Sequence, residues 1–269
     1  MVKLENRLTN KQKAIILNNF GKIKIKDIEK LSEVPCRTIT QFLKIHQLKL
    51  TKEERYKILA LRKRKYECND LFFNNLNPIS CYWAGFIAAD GNISDLQNRL
   101  TIKLKSTDYT HLEKFKLDIN FNGKIVAERN VKNGKQYFAT KIYITSQQLL
   151  KDLLINFNIA PKKSLTYTYP DLSGNLQDCF IKGYFDGDGS RYLKYKKHEI
   201  VSFYGTQSTN QWIKGRIDYL FSKNSGSIFN KGKITCYQLN YTASKFFIKY
   251  FGNLKTPELD RKWRAFEGE

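Results

Sequence analysis

Two stretches of this chain, YWAGFIAADG (residues 82–91) and FIKGYFDGDG (residues 180–189), are copies of one pattern. Gly85 and Gly183, Asp90 and Asp188, and Gly91 and Gly189 are each 98 residues apart. Each copy reads as an apolar helix. The small residues Gly85 and Ala89 in one, and Gly183 and Gly187 in the other, are four apart and so share a face. Small residues on a shared face let two helix backbones approach closely. A tight interface between the two helices is therefore expected. Each helix then ends at Asp-Gly, with Gly91 and Gly189 expected in the left-handed conformation that follows many helices. Asp90 and Asp188 fall at the negative ends of their helix dipoles, and side by side they repel each other. Stability alone gives no reason for this placement. Divalent cations between the carboxylates relieve both problems, because Mg²⁺ prefers carboxylate and phosphate oxygens.

The two motifs resemble those of the LAGLIDADG homing endonucleases, in the single-chain form with two motifs. The resemblance covers roughly residues 78–266. The first copy departs from the family pattern at Ala88, the first acidic position, and at Trp83 and Phe86; the second departs at Lys182, Tyr184 and Gly187. Both retain the last Asp. The resemblance implies Asp90 and Asp188 as the catalytic pair, with Mg²⁺ or Mn²⁺ held by them together with Gly91 and Gly189. It implies an α+β fold of two pseudo-symmetric αββαββα half-domains forming a saddle on DNA. A basic residue after the last helix of each half approaches the active site in the family. Lys163 lies 73 residues after Asp90 and Lys262 lies 74 after Asp188, so these two are the candidates, with Lys162 and Arg261 as adjacent alternatives.

The segments after each motif fit that half-domain. Arg99–Lys105 alternates strictly, with Arg99, Thr101, Lys103 and Lys105 on one face and Leu100, Ile102 and Leu104 on the other, as a half-buried strand does. Asp108 is expected to cap a helix over Tyr109–Ile119. Lys124–Arg129 and Phe138–Thr145 read as a hairpin, with Lys141 and Tyr143 on its polar face, and Ser146 caps a helix through Phe157. The second copy reads as strands Ser190–Lys196 and Glu199–Tyr204, helix Thr209–Phe221, strands Gly226–Phe229 and Ile234–Tyr241, and helix Ala243–Phe251. Tyr192, Lys194 and Lys196 mix aromatic and basic groups on one of these strands. Polar strand residues of this kind read base edges, while Lys and Arg hold phosphates.

The chain has 269 residues, with 47 Lys+Arg against 25 Asp+Glu, a formal net charge of +22. Such an excess points to a polyanion, with nucleic acid first. No stretch is long and apolar enough to span a bilayer, and no secretory signal is visible at MVKLENRLTNKQK. Five Cys (36, 68, 81, 179 and 236) without C-x-x-C spacing disfavour zinc and a disulfide framework. The expected location is a reducing one: a bacterial or phage-infected cytoplasm, or an organellar matrix. The three His (46, 111 and 198) are far apart in sequence, which disfavours a His-based metal centre.

Residues 1–75 carry 18 Lys+Arg against 8 Asp+Glu, a denser positive charge than the remaining 194 residues with 29 against 17. They read as helices Asn10–Phe20, Ile25–Val34 and Cys36–His46, then one from Thr51 to Tyr66 opened by the capping-box pair Thr51 and Glu54. The second and third look like a helix-turn-helix. Its second helix carries Arg37, Thr38, Gln41 and Lys44 toward a major groove, with Thr40 beside them. The run Arg62–Lys65 is either a phosphate contact or a solvated helix end.

The expected domains are thus a helical DNA-binding module (1–67), a linker (68–77) and two half-domains (78–172 and 173–269). Asn-rich polarity and Pro78 suggest the linker. The expected function is a monomeric, site-specific homing endonuclease that makes metal-dependent double-strand breaks. Its double-stranded DNA target is asymmetric or pseudo-palindromic, and in the family the cut leaves a short 3′ overhang. Two alternatives stay open: a cleavage-inactive regulator of LAGLIDADG descent, and a maturase that binds intron RNA.

Overall fold

The computed structural model describes residues 8–51, 54, 55, 58, 65–132, 134–195 and 197–264. The chain divides into two compact units, Met1–Lys65 and Tyr66–Glu269.

The first unit contains helices α1 (Asn10–Asn19), α2 (Ile25–Ser32) and α3 (Cys36–Ile45). Thr9, immediately before α1, closes a capping box with Gln12: each backbone N–H is accepted by the other's side-chain oxygen. The turn between α2 and α3 passes through Glu33 in the left-handed region. Glu29 then reaches across to accept from the Cys36 N–H at 2.9 Å, a carboxylate placed at the positive end of α3. Ile16, Ile28, Ile39, Phe42 and Leu43 fill the small core. Thr51 and Glu54 form the expected capping box. Most of the helix expected through Tyr66, and Arg62, Lys63 and Arg64 of the basic run, lie outside the described residues.

The second unit repeats one order twice. The first half runs α4 (Pro78–Asp90), β1 (Gly91–Ser94), β2 (Arg99–Lys105), α5 (Tyr109–Asp118), β3 (Val126–Lys132), β4 (Lys135–Thr145) and α6 (Gln147–Phe157). The second runs α7 (Gly174–Asp188), β5 (Gly189–Lys194), β6 (His198–Gly205), α8 (Gln207–Phe221), β7 (Gly226–Lys231), β8 (Ile234–Leu239) and α9 (Tyr241–Gly252), followed by the short helix α10 (Asp260–Trp263). The sheets have orders β1-β2-β4-β3 and β5-β6-β8-β7, all antiparallel. The α+β class and the paired αββαββα halves are as expected.

Several local expectations change. Residues 68–77 are not a linker. Phe73 is fully buried and Phe72 nearly so in the main core, and the Asn69 N–H donates to Ile119 O at 2.8 Å. Pro78 does not interrupt structure there; it opens α4. Asn77 accepts from the N–H groups of Ile79 and Ser80, and Ser80 Oγ accepts from the Asn77 N–H. Pro at the first helical position needs no N–H partner. Asp108 precedes α5 but makes no capping bond; its carboxylate accepts from Arg261 at 3.0 Å instead. Thr206 and Asn240 cap α8 and α9, so both helices start two residues earlier than expected and β8 stops at Leu239.

One glycine here has no structural duty. Gly215 is exposed in the middle of α8, and a methyl there meets nothing within 4 Å. Because glycine costs a helix interior roughly 0.5–1 kcal/mol relative to alanine, Gly215→Ala is expected to stabilise the protein by about that amount. Urea unfolding reads this as a higher midpoint at unchanged slope.

Candidate active site

α4 is apolar on every side, and Ser80 to Ala88 are all buried. Such a helix has neighbours all round, and α7 is the one that matters for the site. Gly85 lies against the Phe180 carbonyl, and Gly183 against the Tyr82 carbonyl; a Cβ on either would collide with backbone oxygen. Gly187 lies against the Ala89 methyl in the same way. The four small residues form the expected interface, and its close approach brings the two Asp-Gly ends together.

At those ends the glycines differ from expectation. Gly91 and Gly189 are extended, with φ of −74° and −84°, because β1 and β5 start on them directly. They are required for space. A Cβ on Gly91 would meet Ile87 Cγ2 at 2.6 Å, and one on Gly189 would strike Phe185.

Asp90 keeps an accessible outer edge, yet surrounding protein raises its carboxyl above the usual range, while Lys262 and Lys163 pull it back. Asp188 is half-buried. Desolvation first, then the charge of Asp90, pushes it up to about 6 against the pull of the same two lysines. The two carboxylates thus sense one another, as their sequence spacing implies.

Lys163 and Lys262 are both buried. Lys163 Nζ donates to Gly91 O at 2.5 Å. Lys262 Nζ donates to the carbonyls of Phe185 (2.7 Å), Gly187 (3.0 Å) and Gly189 (2.7 Å). Desolvation lowers both, Lys262 to about 8. An ammonium has three donors, so those of Lys262 are all engaged, at the end of α7 where the dipole favours a cation. Of the two adjacent alternatives, Arg261 turns away to Asp108, and Lys162 adopts the left-handed conformation that starts the turn before Lys163.

Sequence reasoning missed Asp186, the residue matching Ala88 in the other copy. It is fully buried and accepts from Tyr82 Oη (2.5 Å), Leu259 N (2.8 Å) and Trp263 Nε1 (2.7 Å). Burial pushes its carboxyl up to about 6. The unequal motif positions were visible in sequence; the partners, from three distant segments, were not.

The expected basic face of the first sheet is present. Leu100, Ile102 and Leu104 are buried, and Arg99, Thr101, Lys103 and Lys105 alternate with them on the open side. Pairing places Thr101 beside Tyr143 and Lys103 beside Lys141. Arg99 lies over the Tyr143 ring at 4.6 Å. Glu128, not anticipated, bridges Lys103 (2.7 Å) and Lys141 (3.1 Å) and is held near 2 by them. On the second sheet Tyr192 and Lys194 are exposed, with Tyr192 Oη donating to Gln238 at 3.3 Å. Lys196 lies outside the described residues. In the first unit Arg37, Gln41 and Lys44 are exposed and line a shallow cleft with Thr40, while Thr38 is half-buried. Among the described residues no helix is long and apolar enough to cross a membrane.

No protein-family model matches the chain. The intron-encoded DNA endonuclease ai2b of Dictyostelium discoideum is 27% identical over 151 residues, 48% of this chain and 53% of that protein. An uncharacterized protein of Methanocaldococcus jannaschii is 25% identical over 146 residues, 51% of each. The chain spans about half the length of the curated relatives it matches. Among solved structures, the homing endonuclease I-WcaI bound to its DNA recognition sequence superposes with a TM-score of 0.51 at 14% identity, covering 72% of this chain and 89% of that one. With two αββαββα halves meeting at paired motif helices, the chain has the fold of the LAGLIDADG homing endonucleases.

Proposed function

We propose that the chain is a site-specific endonuclease that cuts both strands of double-stranded DNA by divalent-metal-dependent phosphodiester hydrolysis. One observation carries the reading: Asp90 and Asp188 stand at the touching ends of two helices, each half with its own buried lysine. Stability does not account for two mutually repelling carboxylates there.

The residues fit a hard divalent cation. Among the described residues no group of three His, Cys, Asp or Glu could hold a metal. Mg²⁺ is commonly held by one or two carboxylates, with waters and substrate phosphate completing its shell. Asp90 and Asp188 would hold it. The Gly91 and Gly189 carbonyls each accept from a lysine ammonium, and that neighbouring charge opposes a cation, so the carboxylates carry the site. When bound, the ion lowers the pKa of water and neutralises charge on the phosphate. The chain supplies the rest. α4 and α7 fix the two carboxylates at one place. Lys163 and Lys262 favour their ionised form. Lys163 has N–H groups beyond the one given to Gly91 with which to meet a phosphate oxygen. The basic sheet faces, with Arg99, Lys103, Lys105, Lys141 and Lys194, hold the duplex backbone, and Thr101, Tyr143 and Tyr192 face base edges. Arg37, Thr38, Gln41 and Lys44 on α3 add a second contact of helix-turn-helix type. Two unlike halves in one chain suit a monomer and an asymmetric target.

The test is incubation with Mg²⁺ and a plasmid library of randomised inserts. Linear product with a common sequence at the break is expected. Tight binding with no break at any insert would instead make the protein a regulator.

Metal binding also has a pH signature. The Asp188 carboxyl titrates near 6 in the fold, above its value of about 4 in an unfolded chain. Its contribution to stability is therefore full below about 4 and lost as pH rises through 6. A cation held by Asp90 and Asp188 would reverse that loss. Mg²⁺ is expected to raise the melting temperature at pH 7.5 and not at pH 5. Asp186 shifts in the same direction, so comparison with Asp188→Asn isolates the site: that variant should not respond to Mg²⁺ at either pH.

A further inference from the structure

The two halves of the site are not built alike. In the second half, the segment after α9 crosses back over α7 and is pinned at several points. Lys182 Nζ donates to Leu254 O (3.3 Å) and pairs with Glu258 (3.2 Å). Asp186 accepts from Leu259 N and Trp263 Nε1, the residues that flank Lys262 on either side. The Trp263 ring packs edge-on against Phe185 at 5.4 Å. Lys262 is thereby delivered to the three carbonyls that surround Asp188. Tyr82 of α4 gives the third proton to Asp186, so this clasp also ties the first motif helix to the second.

Among the described residues the matching place in the first half holds no such carboxylate; the segment after α6 is tied instead through Tyr167, whose Oη donates to Phe157 O (3.0 Å) and whose carbonyl accepts from Thr206 Oγ1 (2.9 Å). Ala88 stands where Asp186 stands in the copy, and Ser164 follows Lys163 where Trp263 follows Lys262. Lys163 reaches the Gly91 carbonyl from the first residue of a short turn, Lys163–Leu165. A cleft of about 260 Å³ opens beside it, lined by Ala88, Ser164, Leu165, Tyr184 and Asp188 among others. Pseudo-symmetry of the backbone thus coexists with an unequal set of supports.

We infer that Asp186 is a positioning residue: its clasp with Tyr82, Leu259 and Trp263 holds Lys262 on the end of α7 and fixes the Asp188 half of the site, a support the Asp90 half lacks, so the two DNA strands depend on it unequally. This rests on the endonuclease reading for its strand consequence, but not for the clasp itself. Asp186→Asn is the sharpest change. It keeps the shape but leaves one acceptor oxygen where three donors converge, so at least one buried donor loses its partner. Tyr82→Phe removes one donor and keeps the ring; Trp263→Phe removes one donor and keeps a smaller aromatic ring.

The experiment uses the full chain and a supercoiled plasmid carrying a site recovered with the wild-type protein and Mg²⁺. Asp186→Asn is expected to accumulate nicked circles, with one strand slowed about tenfold more than the other. The slowed strand is the one also left uncut by Lys262→Met, while Lys163→Met leaves the opposite strand. Trp263→Phe shows the same bias and keeps the inference testable if Asp186→Asn does not fold. A second readout needs no cleavage. Acetylation footprinting of the free protein should show Lys262 labelled severalfold faster in Asp186→Asn, with Lys163 unchanged. Equal slowing of both strands, or an unchanged Lys262 labelling rate, would overturn the inference. If the wild-type protein cuts no DNA, the endonuclease reading fails by itself and the labelling rates still decide the clasp.

Discussion

Asp90→Asn and Asp188→Asn are each expected to abolish double-strand cleavage, with rates down by about 10³-fold or more. On the proposed reading, each removes one of the two carboxylates that would hold the cation. A metal-assisted displacement draws several kcal/mol from the ion, and each 1.36 kcal/mol is tenfold in rate. The substitution keeps volume and helix geometry, so the fold survives. It also removes one of two repelling charges: desolvation and the Asp90 charge hold Asp188 near 6. Above that pH the metal-free variants should be more stable than the parent, not less. Loss of cutting with a higher melting temperature is a combination that simple misfolding does not produce. DNA binding without Mg²⁺ should persist, because the basic sheet faces are untouched. Gel shifts, plasmid cleavage and melting curves on the same samples read all three.

Gly183→Ala is expected to have the largest effect on stability. The added methyl points at the Tyr82 carbonyl and lies within 3.0 Å of the Phe86 amide nitrogen. Neither is the end of a flexible side chain, so α4 and α7 must separate. Overpacking of a core costs typically 1–3 kcal/mol, and contact with backbone places this case at or above about 3 kcal/mol. For a unit of this size that lowers the melting temperature by about 6–12 °C. Gly85→Ala, against the Phe180 carbonyl, should behave alike. Cleavage should fall as well, since separation of the helices moves Asp90 away from Asp188. Gly215→Ala shifts stability the opposite way, which shows that the position and not the added methyl is responsible.

The architecture was legible because it is written twice. A constant offset of 98 residues marked the motif helices, and strict alternation over Arg99–Lys105 marked a strand with one buried face. The placement of Lys163 and Lys262 followed from counting, but their burial and carbonyl partners did not. Nothing local distinguishes a lysine folded back onto a helix end from one in solvent. Gly91 and Gly189 read as left-handed residues although they serve clearance, since a glycine needed for space and one needed for positive φ look alike in sequence. Residues 68–77 look like a linker because Asn77 and Pro78 serve equally as loop formers and as the cap and first residue of a helix; the pair Phe72–Phe73 is the sign of a packed segment. Asp186 needed the fold. Its three donors come from positions 82, 259 and 263, and only the packing of α4 on α7 and the return of the C-terminal segment bring them together.

On the endonuclease reading, two unlike halves place one pair of carboxylates to cut both strands at one site. Mapping every break on both strands of a randomised-insert library, after incubation with the protein and Mg²⁺, tests this most directly. Paired breaks a few nucleotides apart across one minor groove, within a shared asymmetric sequence, are the predicted result. A protein that enriches a sequence yet leaves both strands intact, or breaks that are unpaired and scattered, would contradict it.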